Sequence, residues 1–539
     1  MKTSLYTIAL GSLMLLGSGT LGSCTNEFEK WNVNPNEATE EETSRDNLRT
    51  GGYFAQMQRS VFIVGENLGG RYQQDQALEG DLFASYLATS TSWGNTAYHN
   101  DHYALYSEWY NYPFNDAYER IMQPWLQIYK NTDEISPARA MATVIKVFGM
   151  SRITDMYGPI PYSKFGQAIQ AEYDSQEEVY NKFFEELKSA IDVLTDYADN
   201  NTENYLADYD NVYQGNVQKW VKFANSVRLR LAMRISNVNE TKARAEAEAA
   251  VSNKYGLMAA ATDDATLHQS STLVFKHPLW EIGTSWDDEH MSATMDCYLN
   301  GYSDPRLAAY FQPATKTGEY HGVRNGIPRL NKSTYQEITS RPNFVQNSDM
   351  HWMYASESCF LMAEAKMRWG LGTKSAKEYY EDGIRTSFAS FNLSGADNYI
   401  ASTKLPLDKY TDPSNNRATD VSSMLSMLSP AWDDAASDNV NMERIMIQKW
   451  IALYPDGQEA WSEMRRTGKP GWVKIYSYNY QQEVTNGEMI SRLKFPTTEY
   501  TNNSENTQKA VTLLGGRVTV SPTGLRLEAP ALLRGRLAM

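Results

Sequence analysis

Cysteine is scarce in this chain, which has three cysteines among 539 residues. So few cysteines cannot build a disulfide framework or a thiolate metal cluster. Cys24 lies close to the N-terminus, and the other two are Cys297 and Cys359. From the sequence, a Cys297–Cys359 bridge and two buried free thiols both remain open.

The chain also lacks any run of lysine and arginine, and its formal net charge is −15. A protein that binds nucleic acid needs clustered cations to neutralise phosphates, so we expect no nucleic-acid partner.

Two catalytic signatures are missing too, since there is neither a Gly-x-Ser-x-Gly motif nor a phosphate-binding glycine loop. These absences favour a binding protein over an enzyme. We expect no cofactor, and a structural cation is left open.

No apolar stretch near the N-terminus is long enough to span a bilayer, which takes roughly 20 residues. Instead, Lys2 precedes an apolar run from Leu5 to Leu16, followed by small residues and Leu21-Gly22-Ser23-Cys24. Leucine at −3, small residues at −2 and −1 and cysteine at +1 resemble a bacterial lipobox, whose cysteine is acylated. We therefore predict a lipoprotein signal peptide at 1–23 and lipidation at Cys24, with an ordinary secretory signal as the alternative.

The residues after Cys24 indicate where the anchored protein goes. Thr25 and Asn26 follow it, so the aspartate that retains lipoproteins at the inner membrane is missing. Two or three acyl chains hold a protein stably on a bilayer. The polar, acidic stretch 24–50 is then a lipidated tether. We expect a lipid-anchored protein of the outer membrane that faces the cell exterior.

Apolar residues recur with helical spacing along most of the chain. Between Val179 and Leu194 one face is apolar and the other charged, which predicts an amphipathic helix. The apolar positions are Val179, Phe183, Phe184, Leu187, Ile191 and Leu194, and the charged ones are Glu177, Glu178, Glu185, Glu186 and Lys188. A second helix is predicted from Trp220 to Arg234, where the arginines near its C-terminal end suit the helix dipole.

A helix pair is predicted further along the chain. Ser356 to Trp369 and Ser375 to Phe388 have helical patterns, and Gly370-Leu371-Gly372 forms the turn between them. Such pairs of about 34 residues are the unit of tetratricopeptide solenoids. Strand-like alternation is local, so we predict an α-dominated fold with tetratricopeptide-like helix pairs, long loops and few short strands.

One set of motifs runs through the whole mature chain. The most specific is Gln448-Lys449-Trp450-Ile451-Ala452-Leu453, followed by Gln458-Glu459-Ala460-Trp461 and Arg465-Arg466-Thr467-Gly468. Further stretches are 28–36, 220–236, 303–307, 363–385 and 492–506. Together they resemble the SusD/RagB family of nutrient-binding outer-membrane lipoproteins. The resemblance extends from about residue 25 to 516, so 51–516 is expected to be a SusD-like nutrient-binding domain.

The resemblance implies four tetratricopeptide-like units and a partner, a SusC-like TonB-dependent transporter, over which the lipoprotein lies as a lid. The implied ligand is a glycan oligosaccharide, or a peptide in some members, that is captured without chemistry and delivered for import. Two other classes stay as alternatives. One is a surface glycan hydrolase, and the other is a surface adhesin with no soluble ligand.

Residues 517–539 depart from the family pattern, which usually closes with an acidic segment that contains tryptophan. Here the chain continues with leucine, alanine, proline, glycine and arginine and without any aromatic residue. We interpret 517–539 as an aberrant C-terminal tail, produced by a frameshift or sequencing error near Gly516. A genuine flexible tail is the alternative.

Aromatic residues concentrate in one stretch, with eight between positions 93 and 114. Tyr103, Tyr106 and Tyr110 have helical spacing, which favours packing in the core. Trp93 and Tyr98 instead lie in a loop of turn-forming residues without apolar periodicity, which favours exposed rings.

Trp286 is a third candidate, because it lies in a loop and is followed by three acids, Asp287, Asp288 and Glu289. An exposed indole or phenol ring can stack on the apolar face of a sugar while polar neighbours bind its hydroxyls. We predict that Trp93, Tyr98 and Trp286 bind the ligand. Filling a gap between helices is the alternative for Trp286.

Two possible catalytic arrangements are not favoured. His99-Asn100-Asp101-His102 brings two imidazoles together without a third metal ligand at recognisable spacing. The acids at 287–289 could supply a glycosidase carboxylate pair, but adjacent acids on a loop usually face solvent. We therefore predict no catalytic residue and no metal ligand.

Overall fold

The structure is a computed structural model that describes residues 48–91, 99–328, 332–476, 484 and 488–515. Contacts divide the chain into two compact units, residues 1–49 and 50–539. The predicted signal peptide, Cys24 and the predicted tail at 517–539 lie outside the described residues, as does nearly all of the predicted tether at 24–50.

Helices make up most of the described residues. The α-helices are α1 (Leu48–Val61), α2 (Gly69–Tyr72), α3 (Ser107–Tyr110), α4 (Tyr112–Ala117), α5 (Gln123–Lys130), α6 (Pro137–Tyr157), α7 (Gln176–Asn200), α8 (Val217–Arg234), α9 (Glu240–Ser252), α10 (Pro278–Trp280), α11 (Ala293–Tyr302), α12 (Arg306–Tyr310), α13 (Ala355–Trp369), α14 (Ala376–Ser390), α15 (Ala396–Ile400), α16 (Asp438–Leu453), α17 (Gly457–Thr467), α18 (Thr497–Asn502) and α19 (Ser504–Leu513). Three π-helices are π1 (Gln73–Asp81), π2 (Tyr118–Met122) and π3 (Glu281–Ser285), and short 3₁₀ turns lie at Asn100–His102, Ala261–Asp263 and Lys332–Thr334.

The strands in the described residues are short and pair two by two. They are β1 (Leu87–Thr89), β2 (Ala265–Leu267), β3 (Glu289–Met291), β4 (Met350–Met353), β5 (Lys409–Asp412) and β6 (Arg417–Asp420). β1 pairs with β3, β2 with β4 and β5 with β6, all antiparallel. The first two pairs join segments far apart in sequence, so they fasten long loops together.

The long helices pack as consecutive pairs. α6 packs on α7, α8 on α9, α13 on α14 and α16 on α17, and neighbouring pairs meet where α7 contacts α8 and where α13 contacts α8 and α16. This confirms the predicted fold class, an α-dominated scaffold of tetratricopeptide-like helix pairs with long loops and few short strands.

Helix α7 shows how the sequence sets these elements. Its N-terminus has a capping box, in which the Ser175 hydroxyl accepts from the Glu178 N–H and the Glu178 carboxylate accepts from the Ser175 N–H. All six apolar positions predicted for its inner face are buried. Of the charged residues predicted to face solvent, Glu186 is the one that is partly buried. Its carboxylate accepts a 2.8 Å hydrogen bond from the buried amine of Lys146.

The α13–α14 pair matches the predicted helix, turn and helix to within two residues at each end. α13 ends at Gly370, whose φ of 72° lies in the left-handed region that favours glycine. The two helices approach closely at Gly383, since a Cβ there would lie 2.7 Å from the Phe360 ring. Even alanine at position 383 would therefore collide with the core.

The arginines of α8 are buried, and direct counter-charges rather than the helix dipole are their main partners. Arg230 pairs with Glu357 of α13, and Arg234 pairs with Glu459 and Glu463 of α17. A buried guanidinium needs such partners because burial removes its hydration. These buried ion pairs therefore hold α8 against α13 and α17.

These contacts continue into one set of buried charges, here called the core ion network. Its members are Asp155, Arg230, Arg234, Glu357, Glu364, Lys449, Glu459, Glu463 and Arg466. Glu463 lies at its centre and accepts from Lys449 at 2.8 Å and from Arg466 at 2.6 Å. Burial alone would raise the pKa of Glu463, but Arg466, Lys449 and Arg234 outweigh burial and hold that pKa well below its usual 4.5.

Cys297 and Cys359 are both buried free thiols, which decides between the two alternatives. Burial raises the pKa of the Cys359 thiol to about 12. Both cysteines therefore act as small apolar core residues.

Across the described residues, every helix is too short or too polar to cross a bilayer.

Glu463→Gln should destabilise the protein by about 3–5 kcal/mol, because it leaves three buried cations short of a partner. Asp192→Asn is the matched control, since Asp192 pairs with Lys188 on the surface, and it should cost less than about 1 kcal/mol. Urea unfolding of the three proteins measures both values. Equal losses in the two variants would contradict a structural role for the core ion network.

The same experiment has a defined pH dependence. A carboxyl with a lowered folded pKa stabilises the protein fully above its unfolded pKa, and this contribution is lost as the pH falls towards the folded value. The stability difference between the wild type and Glu463→Gln should therefore shrink below pH 4.5.

Candidate functional site

The β1–β3 ladder places two predicted loop regions at one end. Leu87 pairs with Met291 and Thr89 pairs with Glu289. Because the strands are antiparallel, the chain that leaves β1 and the chain that enters β3 lie side by side. The hydroxyl of Thr91, two residues beyond β1, donates to Asp288 Oδ1 at 3.0 Å.

Of the predicted ligand-binding residues, Trp286 is described and lies at this end of the ladder. Trp93 and Tyr98 lie outside the described residues, so their predicted role remains a prediction. The structure describes the residue that precedes their loop, Thr91, next to Asp288. The two candidate segments thus begin at neighbouring points of the fold.

Trp286 is half-buried and held by its backbone and its ring. Its N–H donates to the carbonyl of Glu281 at 2.7 Å, which closes π3. Its ring packs against α2, where a Cβ on Gly69 would lie 3.3 Å from Cη2 and one on Gly70 would lie 3.7 Å away. The two glycines therefore leave room for the indole, and the residue packs against the hydrophobic core while staying partly exposed.

The acids after Trp286 are buried, so the expectation that they face solvent was wrong. Asp287 accepts from Arg341 Nε at 2.5 Å, and Asp288 accepts from Lys332 Nζ at 2.7 Å. Asp287 and Asp288 are thus each paired with a cation, which makes the burial of these two acids tolerable. Burial raises the pKa of Asp287 even though Arg341 and Lys332 act in the opposite direction.

Lys332 and Arg341 are the residues of this site that the sequence did not predict. Lys332 also donates to the carbonyl of Trp286, so a single ammonium holds the backbone before Asp287 and the side chain of the residue after it. Asp287 itself has a φ of 57°, a left-handed conformation that is uncommon outside glycine. No local pattern identifies Lys332 or Arg341, because each is separated from its aspartate by more than 40 residues. The signal available in the sequence was the glycine pair Gly69-Gly70, because adjacent glycines indicate that another group packs closely against the backbone there.

The other aromatic and histidine candidates form core contacts. Tyr103 and Tyr110 are buried and Tyr106 is partly buried, as predicted, although only Tyr110 lies in a helix, because α3 begins at Ser107. His99 and His102 are buried together with Asp101. Within the part of the chain that the structure describes, no cluster of three or more histidine, cysteine or acidic side chains could hold a metal ion.

The arrangement at Trp286 suits binding of a ligand with an apolar face and polar edges. Trp286 is a partly exposed residue with a flat apolar ring, while Lys332 and Arg341 keep the adjacent backbone and acids in place. Aromatic rings with nearby hydrogen-bonding groups bind sugars in this way. We refer to Trp286, Asp287, Asp288, Lys332 and Arg341 as the Trp286 site.

Comparison with known proteins defines the family. The SusD-like family model, described as SusD and RagB outer membrane lipoproteins, matches residues 30–524. The chain belongs to this family of outer-membrane lipoproteins. A search of curated proteins finds no match.

Solved structures of the family are similar to the chain over nearly their whole length. A chitin-binding SusD homologue from Flavobacterium johnsoniae is 36% identical, with a TM-score of 0.83, over 88% of this chain and 97% of that one. A SusD homologue from Bacteroides uniformis is also 36% identical, with a TM-score of 0.79, over 88% and 98%. One from Bacteroides thetaiotaomicron is 32% identical, with a TM-score of 0.79, over 88% and 98%.

Gly69→Ala should disturb the Trp286 site, whereas Gly70→Ala should not. A Cβ at position 69 would lie 2.0 Å from the Glu281 carboxylate as well as 3.3 Å from the indole, but at position 70 it makes an ordinary contact. We expect Gly69→Ala to be less stable than Gly70→Ala by about 1 kcal/mol, the low end of what overpacking costs, because the nearest atoms belong to the flexible end of Glu281. Thermal unfolding tests the stability, and a crystal structure tests whether the ring moves. Equal stability with an unmoved ring would show that Gly69 does not set the position of Trp286.

Proposed function

We propose that the protein is a cell-surface lipoprotein that captures an oligosaccharide at the Trp286 site and delivers it to a SusC-like TonB-dependent transporter. Binding, not catalysis, is the proposed activity. A peptide is the alternative ligand. Cys24 is the proposed lipid anchor, which holds the protein on the outer membrane facing the cell exterior.

The observation that carries this proposal is Trp286, a partly exposed residue that is held on several sides. Its backbone is held by Glu281 and Lys332, and Gly69 and Gly70 limit its ring. Trp93 and Tyr98, which follow Thr91 in the sequence, are proposed to contribute to the same site.

The family supports the ligand class and the partner. A relative 36% identical over most of both chains is described as chitin-binding, so β-linked N-acetylglucosamine oligomers are the first ligands to test. The SusD-like family consists of outer-membrane lipoproteins, and import of an oligosaccharide requires a barrel through that membrane. A SusC-like transporter is therefore the proposed partner.

Trp286→Ala should weaken oligosaccharide binding by about 1–3 kcal/mol, as loss of a central aromatic contact does, and Trp93→Ala should act similarly. Trp286→Phe should restore part of the affinity because it keeps an aromatic face. Isothermal titration calorimetry with a panel of oligosaccharides, starting with the N-acetylglucosamine tetramer, measures the effect.

Tyr129→Ala is the matched control, since Tyr129 is an aromatic residue 44% exposed on α5. It should leave affinity unchanged. Full affinity in both tryptophan variants would remove these residues from the site, and sugar release from the panel by the wild type would favour the glycan hydrolase instead.

Native protein isolated from membranes should carry acyl chains on Cys24, and Cys24→Ser should move it from the membrane to the soluble fraction, because the acyl chains supply the anchor. Mass spectrometry of the N-terminal peptide and fractionation test this. Affinity purification of the native protein should also recover a TonB-dependent barrel. An unmodified N-terminus at residue 24 would contradict the anchor, and a preparation without a barrel would contradict the transport role.

A further inference from the structure

Glu289 is an acid of the β1–β3 ladder that no cation neutralises. It begins β3, pairs in register with Thr89 of β1, and is fully buried. Among the described residues, neither carboxylate oxygen of Glu289 has a hydrogen-bond partner. The two acids that precede it in the chain are instead each bound to a cation.

The groups that face Glu289 are acidic or neutral. Asp81 of π1 and the adjacent Asp288 both oppose a negative charge on Glu289, and the amide of Gln73 in π1 favours one. Burial above all, and the charge of Glu289 to a smaller extent, raise the pKa of the Tyr454 phenol, which directly follows α16. The surroundings of Glu289 therefore favour its neutral form.

The cations of this region have other partners. The ion pairs that they form are Lys332–Asp288, Arg341–Asp287 and Arg152–Asp456. His290, the next residue in β3, is also buried, and burial lowers its pKa to about 3. This imidazole is therefore neutral in ordinary buffers and supplies no counter-charge.

A buried carboxylate without a counter-charge is unfavourable, so Glu289 is held in the fold as a carboxylic acid. Burial first, and then the charges of Asp81 and Asp288, raise the pKa of Glu289 well above its usual 4.5. In an opened chain the same group ionises near its usual value. Each pH unit above that value therefore shifts the equilibrium towards the opened form by about tenfold, until the folded pKa is reached.

We propose that Glu289 is a pH-sensitive switch of the β1–β3 ladder. As a neutral acid it permits the ladder to close, and its ionisation in alkaline solution opens the ladder and displaces Trp286. A ladder of three residue pairs is marginal by itself, so a single buried charge is sufficient to open it. The effect on ligand binding rests on the proposed function, whereas the opening of the ladder does not.

Hydrogen–deuterium exchange of the full chain from about pH 5 to about pH 9 tests the switch, with the wild type and Glu289→Gln compared at each pH. Segments 87–91 and 286–291 should exchange equally in the two proteins at the acid end. Towards the alkaline end the wild type should exchange faster, by up to about tenfold for each pH unit, because only the wild type releases a proton on opening. Helix α7 should show no such difference.

Two further variants serve as controls. Glu289→Met is neutral and of similar length, so it should match Glu289→Gln and show that the result does not depend on the new amide. Glu119→Gln removes an acid whose side chain is 71% exposed, and it should exchange like the wild type. Equal exchange in the wild type and both Glu289 variants overturns the inference. A difference of the same size in α7 also overturns it, since that reports unfolding of the whole chain.

Calorimetry with the N-acetylglucosamine tetramer over the same pH range tests the effect on the Trp286 site. The affinity of the wild type should fall towards alkaline pH, and that of Glu289→Gln should stay constant. An equal alkaline loss in both proteins overturns the link between the switch and the site. Absence of binding at every pH in both proteins contradicts the proposed function, and the exchange experiment alone then decides whether the switch exists.

Discussion

The contact on which the fold depends is the pairing of buried guanidinium and carboxylate groups between α8, α13, α16 and α17. An apolar interface tolerates small shifts of one helix along another. A buried charge that loses its partner instead destabilises the fold by several kcal/mol. Arg234 alone reaches two acids of α17 and one of α6. The helix pairs are therefore fixed in register, which short loops between them would not achieve alone.

This scaffold is also what positions the Trp286 site. The segment just before β1 is fastened to α16, where the indole N–H of Trp450 donates to the carbonyl of Ala84 at 3.0 Å. π1 packs on α17 so closely that a Cβ on Gly80 would lie 2.6 Å from the backbone of Gln458. A three-residue ladder such as β1–β3 is too short to be stable by itself, so the helices beneath it supply its rigidity.

The sequence predicted local structure well and long-range partners poorly. The helix at 179–194, the second at 220–234 and the helix pair around Gly370 all formed, because apolar periodicity, caps and glycine turns act within a few residues. The burial of Asp287 and Asp288 was not predicted, since it depends on Lys332 and Arg341 from a distant loop. In the same way the motif at 458–468 identified the family without showing that its acids bind the arginines of α8.

The restrained indole of Trp286 has a kinetic consequence. A side chain that is already ordered loses little rotational freedom when a ligand arrives, so more of each contact appears as net affinity. Encounter rates for related ligands vary little, and residence time then decides which sugar is retained. In the proposed role, the protein passes its ligand to a transporter and must therefore release it. Under that proposal, the half-buried placement of Trp286 limits the area that the residue can offer to a sugar, and thereby limits the time that the sugar stays bound.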